Sequence, residues 1–344
     1  MPFSRLGLAA STAALLLTPS LALAAPQVVV SIKPIHSLVA AIMQGVGEPS
    51  LIVEGAASPH TYSLKPSNAR ALENADVVFW VGHGLEAFLE KPLEALAGKA
   101  TVVELEEAPG LVRLPFREGG AFEAHDHGDE ADHAEGDEHA AHDDHDAHAD
   151  HAAEDHAAEA HAGEEHDHDH EDGGFDMHLW LDPMNAKAMA KQIEETLVAA
   201  DPANAARYKA NGLALAQEID TLDKDIATAV APVADKPFVV FHDAYQYFEN
   251  RYKVRVAGSI TVSPETMPGA ERVSEIHGKV KELQAVCVFA EPQFEPKLVS
   301  VVTEGTDAKA GTLDPEGGAL EAGPALYPEL MHNLAKSITD CLSR

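Results

Sequence analysis

The chain has 344 residues and carries 57 Asp and Glu against 24 Lys and Arg, a formal charge of −33 at pH 7. Acidity on this scale argues against nucleic acid and anionic membrane surfaces as partners and favours cations. The charge is unevenly spread: residues 118–172 hold 22 acidic groups, no Lys or Arg, and 13 of the 20 histidines, which leaves −11 for everything else.

Residues 1–24 read as a secretory signal. Arg5 is its only charge, Leu6 to Leu17 forms a short apolar core, and Ala22-Leu23-Ala24 supplies a small-residue cleavage pattern. The apolar run is too short to span a bilayer, and the segment has no cysteine to carry a lipid anchor. The expectation is an exported soluble protein starting near Ala25 and residing in the periplasm. What remains is long enough for two domains, each with its own core.

Val28-Val29-Val30 predicts a buried strand, followed through Lys33-Pro34 by a helix with Ile35, Leu38, Val39 and Ile42 on its apolar side. Ser50 to Glu54 predicts a second strand, then a loop through Pro59-His60-Thr61, then a helix from Ser67 to Asn74. Val77 to Val81 and Thr101 to Val103 complete four apolar strands, with a helix from Glu86 to Leu96 between the last two. Apolar strands alternating with helices indicate a parallel sheet covered on both faces.

From residue 118 to 174 every folding signal disappears. Ala, Asp, Glu, His and Gly dominate, and Phe122 is the one large apolar residue. Such a segment buries too little apolar surface to offset its ordering entropy, so it reads as a disordered insertion in the first lobe. Helical signals return at Asp182-Pro183 and again at Asp201-Pro202, each an Asp cap before a Pro at the first helical position. The second pattern keeps a helical period through Tyr208, Leu215, Ile219, Leu222, Ile226 and Val230, roughly 40 Å of helix at 1.5 Å per residue. A second α/β rhythm follows, with strands at Phe238–Phe241, Val254–Ala257, Ala285–Phe289 and one ending at Gly311-Thr312-Leu313. The expected organisation is a signal at 1–24, an α/β lobe at 25–182 containing the insertion, a helical connector at 183–234, and an α/β lobe at 235–344. The fold class is therefore α/β, two parallel-sheet lobes joined by a long backbone helix.

The two cysteines, Cys287 in a strand and Cys341 at the end of the last helix, form an even pair in an oxidising compartment. A disulfide is the expectation and two buried thiols the alternative. His60 follows strand two, His178 precedes a helix, His242 ends the first strand of the second lobe, and Asp314 follows another strand end. Ligands gather at the carboxyl ends of strands in open α/β sheets, and neutral imidazoles suit zinc, with a carboxylate or water completing a tetrahedron. His36 reads as structural, with lining of the cleft as the alternative. His83, between two glycines, reads as a rim residue, and His277 and His332 as members of solvated helix faces.

Four segments then carry a resemblance: Gly55-Ala56-Ala57-Ser58-Pro59-His60-Thr61-Tyr62-Ser63-Leu64-Lys65-Pro66-Ser67, Met177-His178-Leu179-Trp180-Leu181-Asp182-Pro183, Phe241-His242-Asp243-Ala244-Tyr245-Gln246-Tyr247-Phe248 and Gly311-Thr312-Leu313-Asp314-Pro315. Together they resemble the metal-binding solute receptors of bacterial ABC importers, in their zinc type, from about Gln27 onward. The resemblance implies two lobes on a long helix, with Zn²⁺ held in the interlobe cleft by His60, His178 and His242 for delivery to a membrane permease. Manganese-type relatives usually carry a glutamate where His242 stands. Some zinc-type relatives place a glutamate just before the first His; Pro59 stands there, so the fourth ligand is left to water, Asp314 or a histidine of the insertion. The family's cysteine pair also matches Cys287 and Cys341.

The insertion's histidines are His125, His127, His133, His139, His142, His145, His148, His151, His156, His161, His166, His168 and His170. Histidine-rich tracts are a metal-binding composition, so they are expected to be weak auxiliary zinc ligands. A three-His zinc hydrolase is the competing enzyme class, against which stands the lack of an H-E-x-x-H motif. A zinc buffer or chaperone without a transporter is the other alternative. No nucleic acid, no membrane insertion and a monomer complete the expectations.

Overall fold

The computed structural model describes residues 25–117, 122, 174–261, 268–294 and 297–343. The predicted signal at 1–24 and the thirteen histidines of the insertion lie outside the described residues. The chain divides into two compact units, each drawn from three stretches: Met1–Leu111, Pro183–Ile226 and Glu316–Asn333 form the first, and Val112–Asp182, Ala227–Pro315 and Leu334–Arg344 the second.

The first unit is built on four parallel strands, β1 (Val28–Val30), β2 (Ser50–Leu51), β3 (Val77–Trp80) and β4 (Thr101–Glu104), in the order β2-β1-β3-β4. β1 and β3 are buried along their whole length, as the unbroken apolar runs require of strands covered on both faces. Strand two is shorter than its sequence suggests. Ile52 and Val53 still donate to Val30 O and Ser31 O, both at 2.9 Å, before the chain bends away. Helix α1 (Lys33–Met43) starts with Pro34 in its first turn, where a missing N–H costs nothing, and buries all its residues but Ala41. Lys33 is buried with it, and its ammonium is saturated by the carbonyls of Gly317, Gly318 and Leu320 at 2.8–3.2 Å. Three donors on three backbone acceptors make a buried cation tolerable.

Helix α2 (Pro66–Glu73) leads into β3, and α3 (Glu90–Leu96) is preceded by a 3₁₀ turn at Ala87–Leu89. The sequence places the helix start at Glu86. Instead that side chain turns inward, fully buried, and accepts from Val81 N and Gly82 N at 3.0–3.2 Å. Burial pushes its carboxyl up to about 7 against those hydrogen bonds. Helix α4 (Pro183–Ala200) begins with Pro183 after an extended Asp182, as expected. The second helical signal resolves into a 3₁₀ turn at Pro202–Asn204 and the 26-residue α5 (Ala205–Val230), while the Asp201 carboxylate accepts from Asn204 and Tyr208. No helix among the described residues is long and apolar enough to cross a membrane.

The second unit repeats the plan with β5 (Pro237–His242), β6 (Arg255–Thr261), β7 (Cys287–Ala290) and β8 (Lys309–Thr312), all parallel, in the order β6-β5-β7-β8. Helices α6 (Gln246–Tyr252), α7 (Ala270–Glu282), α8 (Lys297–Thr303) and α9 (Leu326–Leu342) complete the chain. Val239, Phe241, Ile260, Ile276, Val280, Val288, Val299 and Val302 make a continuous apolar core. β8 carries Gly311 against the Phe289 ring: a Cβ there would lie 2.5 Å from Phe289 Cε1. Cys287 of β7 and Cys341 of α9 form a disulfide, with Cα atoms 6.3 Å apart.

Both flanks of the acidic insertion, 112–117 and 174–182, belong to this second unit. Pro115 and Phe175 form an antiparallel bridge, Asp176 N donates to Leu114 O at 2.9 Å, and Arg113 lies 5.0 Å over the Phe175 ring. Leu114 N donates to Tyr247 Oη and Gln246 Nε2 to Pro115 O, so the root of the insertion is fastened to α6.

Candidate metal centre

His242 is the last residue of β5, at the carboxyl end of a strand next to the point where the sheet order reverses, and is 3% exposed. Ligands bind in α/β sheets at such a switch point. His178, 5% exposed, precedes the 3₁₀ turn Leu179–Leu181. Their Nε2 atoms stand 3.2 Å apart.

The opposite ring nitrogens explain why. Nδ1 of His178 donates to Asp176 Oδ1 at 2.7 Å, and the same oxygen accepts the His178 backbone N–H at 3.0 Å. Nδ1 of His242 donates to Glu291, just beyond β7, with 2.8 and 2.7 Å to its two oxygens; Tyr245 Oη adds a bond to Oε1 at 3.2 Å. With both protons assigned to Nδ1 by these carboxylates, both Nε2 atoms present a lone pair. Two facing lone pairs repel unless a cation or a proton sits between them. Two nitrogens on one tetrahedral zinc, each at about 2.05 Å, would lie about 3.3 Å apart, close to the separation found. The two buried carboxylates behind the neutral imidazoles also supply the charge that a dication needs.

Electrostatics bear the strain of assembling these groups. Burial pushes the Asp176 carboxyl up to about 6, although the His178 backbone bond and the Arg117 charge pull the other way. For His242 burial favours the neutral ring, but Glu291 together with Asp243 and Asp176 outweighs it and holds the imidazole above its ordinary value. Protons and a metal therefore compete for this ring.

His60 is in the first unit, inside a 3₁₀ turn at Pro59–Thr61 that opens with Pro59, and is half-buried. Tyr62 fixes the exit of that turn by donating to Ile52 O at 2.9 Å. Asp314 follows β8 and accepts from Gln293 Nε2 at 2.9 Å. His36 is buried; its Nε2 donates to Pro49 O at 3.0 Å and burial lowers its pKa, a structural role. His83 is exposed, edge-on to Trp80 at 4.8 Å and 3.6 Å from Glu104. His277 differs from its expected solvated setting: it is half-buried and its Nδ1 donates to Val302 O at 3.0 Å, because α8 packs over that face of α7. His332 is exposed as expected. Sequence reasoning missed Asp176 and Glu291 as supports. The signals were a carboxylate two residues before His178 and another just past a strand end.

A family model described as "Zinc-uptake complex component A periplasmic" matches residues 28–341. The chain belongs to that family. Among its relatives, the high-affinity zinc uptake system protein ZnuA of Brucella suis biovar 1 is 58% identical over 317 residues, 92% of each chain. The protein of that name from Yersinia pestis is 36% identical over 329 residues, 96% of this chain and 95% of its own. Solved structures share the fold: the periplasmic zinc binding protein TroA of Treponema pallidum has a TM-score of 0.71 at 21% identity, covering 93% of this chain and all of that one. A crystal structure of ZnuA gives 0.68 at 23% identity, over 92% of this chain and 99% of that one.

Proposed function

We propose that this chain captures Zn²⁺ in the periplasm through His60, His178 and His242, each offering one imidazole nitrogen, and hands it to the permease of an ABC importer. It is a receptor and not an enzyme. The observation that carries the reading is the pair of Nε2 lone pairs 3.2 Å apart, each ring backed by a buried carboxylate. Three imidazoles favour zinc over manganese, which takes oxygen ligands more readily. Family membership and the names of the relatives support the cargo and the transporter. Among the described residues Asp314 does not join the three imidazoles as a converging ligand, and we assign the fourth position to water.

Export rests on residues 1–24, and the mature receptor begins near Ala25. The histidines of residues 118–172 form an auxiliary store that binds several ions weakly, since ordering so polar a segment costs entropy. Binding there fades below about pH 6.5 as imidazoles protonate; a zinc stoichiometry that is the same at pH 7.5 and 5.5 would refute this.

The test is a competitive zinc titration, with manganese as control, on the mature chain and on a version lacking 118–172. One tight, zinc-preferring site that survives the deletion and disappears in His178→Ala is the expected result. Tight binding that leaves with the deleted tract would make the protein a zinc buffer and overturn the ligand set.

A further inference from the structure

Arg117 is the residue immediately before the acidic insertion, and its side chain is mostly buried. Its guanidinium pairs with both Asp243 and Glu249. To Asp243 the bond is a fork: Nε donates to Oδ2 at 3.1 Å and Nη2 to Oδ1. The Asp243 side chain is only 2% exposed, and that of Arg117 19%. On the remaining side Phe122 covers the guanidinium, with its ring centroid 4.0 Å from the Arg117 carbon. The pair is thus largely shielded from water, which strengthens a bidentate bond.

Asp243 is the residue after His242, at the point where the chain turns out of β5; Ala244 N closes that turn on His242 O at 2.9 Å. Glu249 lies in α6, the helix on which the root of the insertion is fastened. One planar cation therefore bolts together the strand end that bears His242, the helix after it, and the beginning of the histidine-rich segment. Of these groups Asp243 also acts on the imidazole through its charge. Glu291 sets the ring's tautomer, whereas Arg117 fixes the backbone from which the ring projects.

We propose that Arg117 is a positioning residue for zinc capture: by clamping Asp243 it fixes the end of β5 so that His242 Nε2 meets the metal beside His178 Nε2. The proposal rests on the three-histidine reading above. It also makes the root of the insertion part of the machinery of the tight site, because Arg117 is the last residue of that root.

The experiment uses the full mature chain, with a high-affinity chelator in excess so that weakly held ions are stripped and only the tight site is read. His242→Ala is the control for the ligand set. Arg117→Met is expected to weaken that site about 10–100-fold, the usual effect of losing a group behind a ligand. Arg117→Lys restores the charge without the fork and should recover only a minor part. In Asp243→Ala the guanidinium has lost its acceptor on the β5 end, so adding Arg117→Met should cost no more than a further two-fold. The second readout is the visible absorption of the Co²⁺-loaded protein, whose bands follow ligand geometry and are insensitive to a loss of global stability. They should shift in Arg117→Met and Arg117→Lys alike. Full recovery by Lys, or unchanged affinity and bands in Arg117→Met while His242→Ala abolishes binding, would overturn the proposal and leave the ligand set standing. Tight binding that persists in His242→Ala would instead overturn the ligand set itself.

Discussion

Replacing Glu291 by Gln keeps the size and shape of the side chain and removes its charge. In the structure both carboxylate oxygens lie within 2.8 Å of His242 Nδ1, and the residue is fully buried with Tyr245 as its other partner. A Gln amide oxygen can still accept the Nδ1 proton, so the loss is that between a charge-assisted and a neutral hydrogen bond, about 1–1.5 kcal/mol or roughly ten-fold in zinc affinity. Glu291→Ala leaves Nδ1 without this acceptor and should approach 100-fold. The pH dependence has a definite sign. Glu291 raises the proton affinity of His242, and the same charge should favour a metal on that ring, so its removal also relieves proton competition. The deficit of Glu291→Gln should be largest above the ordinary imidazole range and narrow as pH falls toward about 6. Competitive zinc titration at pH 8, 7 and 6 measures this. Affinity within two-fold of wild type in Glu291→Ala, or a deficit that widens on acidification, would refute the reasoning.

Removing the disulfide with Cys287→Ala and Cys341→Ala together should lower stability by about 4 kcal/mol for its separation of 54 residues, read from urea unfolding. Glu86 has its folded carboxyl raised from 4.5 to about 7, so its contribution is present below pH 4.5 and is lost as pH rises to 7, on the order of 3 kcal/mol. Glu86→Gln should therefore gain on wild type across that window, and parallel stability profiles for the two proteins would contradict the burial argument. Gly311→Ala drives a methyl group into the Phe289 ring and should cost about 1–3 kcal/mol in the same unfolding assay. An unchanged unfolding midpoint would mean that the ring yields freely.

Apolar runs such as Val28–Val30 and Val77–Trp80 were legible because a strand covered on both faces leaves no other pattern. The three imidazoles proposed as ligands were singled out partly by position, next to strand ends and a helix start, and more by motif resemblance. Glu86 marks the limit on one side: nothing in its neighbourhood says that it folds under Val81 and Gly82 instead of starting a helix, because the backbone donors it satisfies exist only after the turn has formed. Glu291 and Arg117 mark the other. Their partners lie 49 and 126 residues away, and a single sequence carries no record of such pairings. Asp176, two residues from His178, was within reach of local reasoning.

The two sheets share one wiring diagram. Each has its first strand flanked by its second and third, with the fourth outside the third: β2-β1-β3-β4 and β6-β5-β7-β8. The histidines do not follow this correspondence. His242 closes the first strand of its sheet, whereas His60 lies beyond the second strand of the other. The rings are supported in unlike ways, a neighbouring Asp for His178 and a distant Glu for His242, so a change at one support has no counterpart at the other.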